Sequence, residues 1–67
     1  MEVWQTRVVD ELDQLNARLA RLSEFLYTRQ FVLLLREEQE RLVNQQFVMR
    51  QYAAILTDRI NHFGRTA

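Results

Sequence analysis

Two runs of heptad-spaced apolar residues constrain this chain more than anything else in it. In the first half Val8, Leu12, Leu15, Leu19, Leu22 and Leu26 step by 4, 3, 4, 3 and 4. That alternation keeps one apolar stripe along one side of an α-helix, with Leu12, Leu19 and Leu26 at a and Val8, Leu15 and Leu22 at d. Asp10, Glu11, Asp13, Gln14, Arg18 and Arg21 fill the polar positions. In the second half Leu35, Leu42, Met49, Leu56 and Phe63 recur every seven residues, and Ala53 and Ile60 take the alternate seam positions. The spacing predicts helix 1 over about residues 2–27, near 38 Å long, and helix 2 over about 35–62. Gly64 suits the position just past a helix end, and a frayed tail is expected over about 63–67.

Between the seams the register breaks, because Leu26 and Leu35 are nine residues apart. The segment 28–34 therefore reads as a corner, with Thr28 able to cap a short helical turn. Four consecutive apolar residues, Phe31 to Leu34, suit a buried corner. The segment has no Gly, Pro, Asn or Asp, so one continuous helix of about 60 residues is the competing reading. The expected fold is all-α: an antiparallel two-helix hairpin, coiled-coil-like, forming a single domain. The absence of Pro and the single Gly argue against a many-turned β fold. No Cys is present to form a disulfide, and 67 residues make a marginal monomeric core.

Helix 2 carries more apolar surface than one partner helix can cover. Val48, Tyr52 and Ile55 form one extra stripe, and Val43, Phe47 and Ala54 another. A helix apolar on most sides is buried on most sides. A homo-oligomeric helical bundle is therefore expected, with Val43, Phe47, Val48, Tyr52 and Ile55 at the interface and two hairpins making a four-helix bundle. Gln39 and Gln46 fall in the seam of helix 2. They either pair across it and fix register or line a polar cavity within the oligomer.

No catalytic constellation appears, so an enzyme is not expected. The only Ser, Ser23, falls at the opposite end of the hairpin from His62. His62 can pair with Asp58 four residues earlier. Glu37, Glu38 and Glu40 read as first-turn acids that complement the helix dipole rather than as metal ligands. No catalytic residue, metal or cofactor is expected. Nine basic residues balance nine acidic ones, so a nucleic-acid polymer is not the expected partner. No apolar run reaches the roughly 18 residues of a membrane span, so no membrane partner is expected either.

All nine cations are Arg. Arg grips phosphate with two parallel N–H groups and stacks on flat rings, which suits nucleotide ligands. The alternative is plain surface ion pairing, for example Arg7–Glu11 and Glu37–Arg41. In an antiparallel register Trp4 falls near Ile60 and Phe63. Arg59, Arg50, Tyr52 and Trp4 are thus the candidate ligand-binding residues. The same edge can instead be a hydrophobic clamp on the open end of the hairpin.

The spacing resembles a family of small helical-hairpin proteins of tailed phages, related to a crAss-like phage protein. The likeness runs from about residue 5 to 63. It rests on Arg7-Val8-Val9-Asp10-Glu11-Leu12, Leu22, Phe25-Leu26, Thr28 and Phe31. It continues through Glu37-Glu38-Gln39, Leu42, Gln45, Met49, Tyr52, Leu56 and Arg59-Ile60. Relatives often carry Pro where this chain has Arg29 and Leu35. The resemblance implies a phage origin and residence in the cytoplasm of an infected bacterium. In architecture only, such hairpins are similar to the anti-CBASS and Thoeris anti-defence sponges, which hold nucleotide signals without cleaving them. No binding residue is carried over from those. The functions to weigh are then sequestration of a cyclic-nucleotide or related immune messenger between protomers, and an inhibitor or adaptor that binds a host or phage protein through a helical face.

Overall fold

The computed structural model describes residues 1–65. Those residues form α1 (Val3–Phe25), a single-turn α2 (Arg29–Val32), α3 (Arg36–Asn61) and a terminal 3-10 turn (Phe63–Arg65). The described residues contain no strand, and the fold is all-α. Phe63 and Gly64, expected in a frayed tail, lie in the 3-10 turn, and Phe63 packs on the core. Residues 66–67 of that tail lie outside the described residues.

α1 starts where the Glu2 N–H donates to Gln5 Oε1 at 2.8 Å, which gives one of the first-turn donors a partner. α3 starts with Glu37 and Glu38 in its first turn, where negative charge faces the positive end of the helix dipole. The two long helices pack on each other, and their contacts pair in reversed order. Trp4 meets Phe63, Glu11 meets Tyr52, and Ser23 meets Gln46.

The buried core is small. Val8 and Leu15 of α1 and Leu56 of α3 are buried, and Leu56 is fully enclosed. Leu12, Met49, Ala53, Ile60 and Phe63 pack around them half-buried. The molecule measures 50 × 16 × 14 Å, which is one helix pair thick. Its accessible surface is 5499 Å². A compact folded monomer of the same mass exposes about 4,500 Å².

The corner is helical rather than a loop. Thr28 Oγ1 accepts from the Phe31 N–H at 3.3 Å and donates to the Phe25 carbonyl at 2.6 Å. One hydroxyl thus closes α1 and opens α2, as a cap residue should. Two expectations about this region fail. Leu35 is not a seam residue: it is the N-cap of α3, in an extended conformation, and it is 77% exposed. Of the four apolar corner residues only Phe31 and Leu34 turn inward, and Val32 and Leu33 are exposed. The reason is geometric. One helical turn presents its four residues around the full circle, so a single neighbour covers about half of them.

Candidate functional site

The two seam glutamines join α3 to other elements, Gln46 to α1 and Gln39 to α2. Gln46 Nε2 donates to Ser23 Oγ at 2.9 Å, joining α3 to α1. Gln39 Nε2 donates to the carbonyls of Phe31 and Val32 at 3.0 and 3.1 Å. It thereby gives the Val32 carbonyl a partner and adds a second bond to the Phe31 carbonyl, which already accepts from the Leu34 N–H at 3.1 Å. Gln46 thus pairs across the seam, whereas Gln39 ties the start of α3 to the corner rather than to α1.

Two cross-helix bonds fix which residues share a side. Tyr52 of α3 donates its hydroxyl to Glu11 of α1. Gln46 and Ser23 mark the other side. Residues two apart on a helix differ by about 200°, and residues seven or eleven apart nearly coincide. Arg59 is seven residues beyond Tyr52 and Arg41 eleven before it, so all three follow one line. On α1, Arg7, Glu11 and Arg18 follow a matching line at spacings of four and seven. We call this the arginine face. Val48 and Ile55 extend it outward and are 62% and 58% exposed.

The electrostatics agree with this placement. The Tyr52 phenol is held above its ordinary pKa of 10.0, first by its hydrogen bond to Glu11, then by desolvation and by the Glu11 charge. The Arg59 charge acts in the opposite sense and is the smallest of these effects.

The expected ligand residues therefore divide. Tyr52 and Arg59 share the arginine face. Trp4 sits at the open end, its ring 5.2 Å edge-to-face from that of Phe63. Arg50 is about 200° from Tyr52 and turns to the side marked by Gln46 and Ser23. Within one chain these four do not surround a single point. Of the expected interface residues, Val43 leans to the Gln46 side, Val48, Tyr52 and Ile55 lean to the Glu11 side, and Phe47 faces outward between them, 62% exposed.

Glu11, Arg18 and Arg41 lie on this face and are not among the residues the sequence reading singles out for ligand binding. Their signal was present as spacings of seven and eleven from residues already singled out. The ion pairs also differ in detail. Arg41 pairs with Glu38 at 3.2 Å and Arg36 with Glu40 at 3.3 Å, all largely exposed. His62 Nδ1 lies 3.4 Å from Asp58 Oδ1 and 2.8 Å from the Asp58 carbonyl oxygen. An open cleft of 520 Å³ lies beside the corner, between Phe31 and the first turns of α3. Its one cation, Arg36, is already paired with Glu40. Among the described residues no three His, Cys, Asp or Glu side chains group as a metal site would need. No described helix is long and apolar enough to cross a membrane.

These features define a small all-helical protein, two long helices joined by a one-turn corner helix. Residues 2–62 match the Sequestin family model, and the chain belongs to the Sequestin family. It is similar to an uncharacterized 7.5 kDa protein from the denB-rIIB intergenic region of Enterobacteria phage T4. The two are 40% identical over 63 residues, which span 94% of this chain and 98% of the phage protein. No solved structure matches. The two matches support a small phage protein; crAss-like kinship and anti-CBASS architecture lie beyond them.

Proposed function

We propose that this chain is a non-enzymatic phage counter-defence protein that sequesters a phosphate-bearing nucleotide messenger between protomers. Its ligand would be a cyclic nucleotide or a related immune signal in the cytoplasm of the infected bacterium. Membership of the Sequestin family carries this reading, because the family name denotes a protein that sequesters. The building unit is an antiparallel hairpin of α1 and α3, and two hairpins associate as a helical bundle. The thin core and the surface excess of about 1,000 Å² over a compact monomer support that association.

The chemistry of the arginine face suits such a ligand. Arg59, Arg18 and Arg7 offer planar forks for phosphate oxygens, and the Tyr52 ring offers a flat wall for a base. Arg50 reaches the same ligand only from a second copy. Trp4 closes the open end against Phe63 and contributes shape rather than charge. Sequestration needs tight binding and no bond breaking, so the ligand should come off intact when the complex is denatured.

Calorimetry against cyclic dinucleotides, cyclic trinucleotides and ADP-ribose derivatives tests this. Arg59→Ala is expected to weaken binding at least tenfold and to leave helicity and subunit number unchanged. If none of these ligands binds at ~100 μM, equivalent to about 5.5 kcal/mol, sequestration gives way to the second reading. That reading is an inhibitor or adaptor that lays its helical face on a host or phage protein. The exposed Val48 and Ile55 favour it, since they are the apolar anchors a partner helix uses.

A further inference from the structure

Two arginines from different helices come level on one side of the hairpin near its open end. We infer that Arg7 and Arg59 together form the seat of one phosphoryl or pyrophosphoryl group. The inference rests on the sequestration reading above and deepens it by fixing where the phosphate of the ligand lies.

Register brings the two together. Trp4 and Phe63 meet ring to ring at 5.2 Å and fix how the open ends align. Arg7 is three residues in from Trp4 and Arg59 four residues in from Phe63, so each stands about one turn from that contact. The bond between Glu11 and Tyr52 fixes the side. Arg7 precedes Glu11 by four residues, about 40° round α1, and Arg59 follows Tyr52 by seven, about 20° round α3. Packed helix axes run about 8–10 Å apart, so two long side chains at one level and on one side can close on one anion. Both arginines are exposed.

Their charges are not spent within the chain. Among the described residues neither arginine has an ion pair. Arg7 and Glu11 are spaced for one, but the Glu11 carboxylate accepts from the Tyr52 hydroxyl. Asp58 lies about 100° round α3 from Arg59, and Asp10 about 60° round α1 from Arg7, both toward the outer sides of the pair. Asp58 is also 3.4 Å from His62. Glu11 is therefore the carboxylate on the side of the seat, and two guanidiniums against it leave the seat positive. Arg36 and Arg41, in contrast, hold carboxylates at 3.3 and 3.2 Å.

Geometry favours phosphate over carboxylate as the occupant. A carboxylate is flat and fills one guanidinium fork along one edge. A phosphoryl group presents oxygens on several sides and accepts from two forks that approach from opposite helices. Arg18 makes no such pair. It lies eleven residues from Arg7, about 16 Å along α1 and level with Val48, where Arg50 is turned about 200° away from the shared side. The seat opens outward, so a second copy can close over it, as a ligand held between protomers requires.

The test follows the arginine Nε–H groups of the whole chain by proton–nitrogen NMR while inorganic pyrophosphate is added. The Arg7 and Arg59 signals should move together and saturate by ~10 mM, with Arg36 and Arg41 moving less. Arg7→Gln and Arg59→Gln should each raise the dissociation constant about fivefold or more, and Arg21→Gln, which removes the same charge from an exposed outer position, should leave it within about twofold. No saturable shift at Arg7 and Arg59, larger shifts at other arginines, or equal losses from all three variants overturns the seat. Pyrophosphate carries no base, so the result is separate from calorimetry with nucleotides. A seat that fills with pyrophosphate in a chain that binds no nucleotide upholds this inference and removes sequestration. Nucleotide binding that leaves Arg7 unmoved does the reverse.

Discussion

Gln46 and Ser23 form a neutral cross-helix bond where a heptad pattern asks for apolar groups. A half-buried polar group with its partner removed has lost its water and gained nothing. Gln46→Ala should therefore cost about 1 kcal/mol in urea unfolding, and Ser23→Ala a similar amount. The Ser23→Ala/Gln46→Ala double variant should cost less than the two singles together by about 0.5 kcal/mol or more, because neither partner is then stranded. Tyr52 gives a second residue-scale prediction. Its folded pKa is raised above the unfolded value near 10, so the Glu11 bond stabilises the fold fully below that value. The contribution is lost as pH rises through the higher folded pKa and the phenolate meets Glu11. Thermal melts of wild type and Tyr52→Phe should differ at neutral pH and converge in alkali. A gap that widens above pH 10 would show that the phenol is stabilised some other way.

At the scale of elements, the corner is where local rules and packing meet. Thr28 is already extended, with φ −93° and ψ 161°, which is the conformation a residue before proline adopts. Arg29 is the first residue of α2, where a missing N–H breaks no helical bond. Arg29→Pro should accordingly stabilise the chain by about 0.4–1 kcal/mol, mainly by restricting the unfolded state. A rise in the urea midpoint with an unchanged slope is the expected measurement. The capping role of Thr28 and the pairing of Trp4 with Phe63 were legible in the sequence, because each follows from spacing along one helix or from the seam register. The exposure of Leu35 was not. The second heptad run begins at it without a spacing flaw, and only the path from α2 into α3 shows that it precedes the helix.

For the whole molecule the governing fact is the small core. Among the described residues three buried side chains leave little to hold two long helices together, so stability should depend on the second copy. The melting temperature is expected to rise by several degrees between ~5 and ~500 μM protein, and a concentration-independent melt would mark a self-sufficient monomer. The same thinness explains why the candidate site is a face and not a cavity. A single layer of two helices has no interior in which to enclose a ligand, and an enclosed pocket arises only where copies meet.

By itself the sequence determined that the chain is helical, where its two seams run and that helix 2 has apolar surface to spare. Periodicity suffices for this, because the angle of each side chain about its own helix axis is set by its position in the chain. What only the tertiary structure decided is how the two helices are turned and offset against each other. Tyr52 meeting Glu11, Gln46 meeting Ser23 and the separation of Arg59 from Arg50 all depend on that rotation. No local spacing encodes it, since it is settled by how Val8, Leu15 and Leu56 interlock in the core.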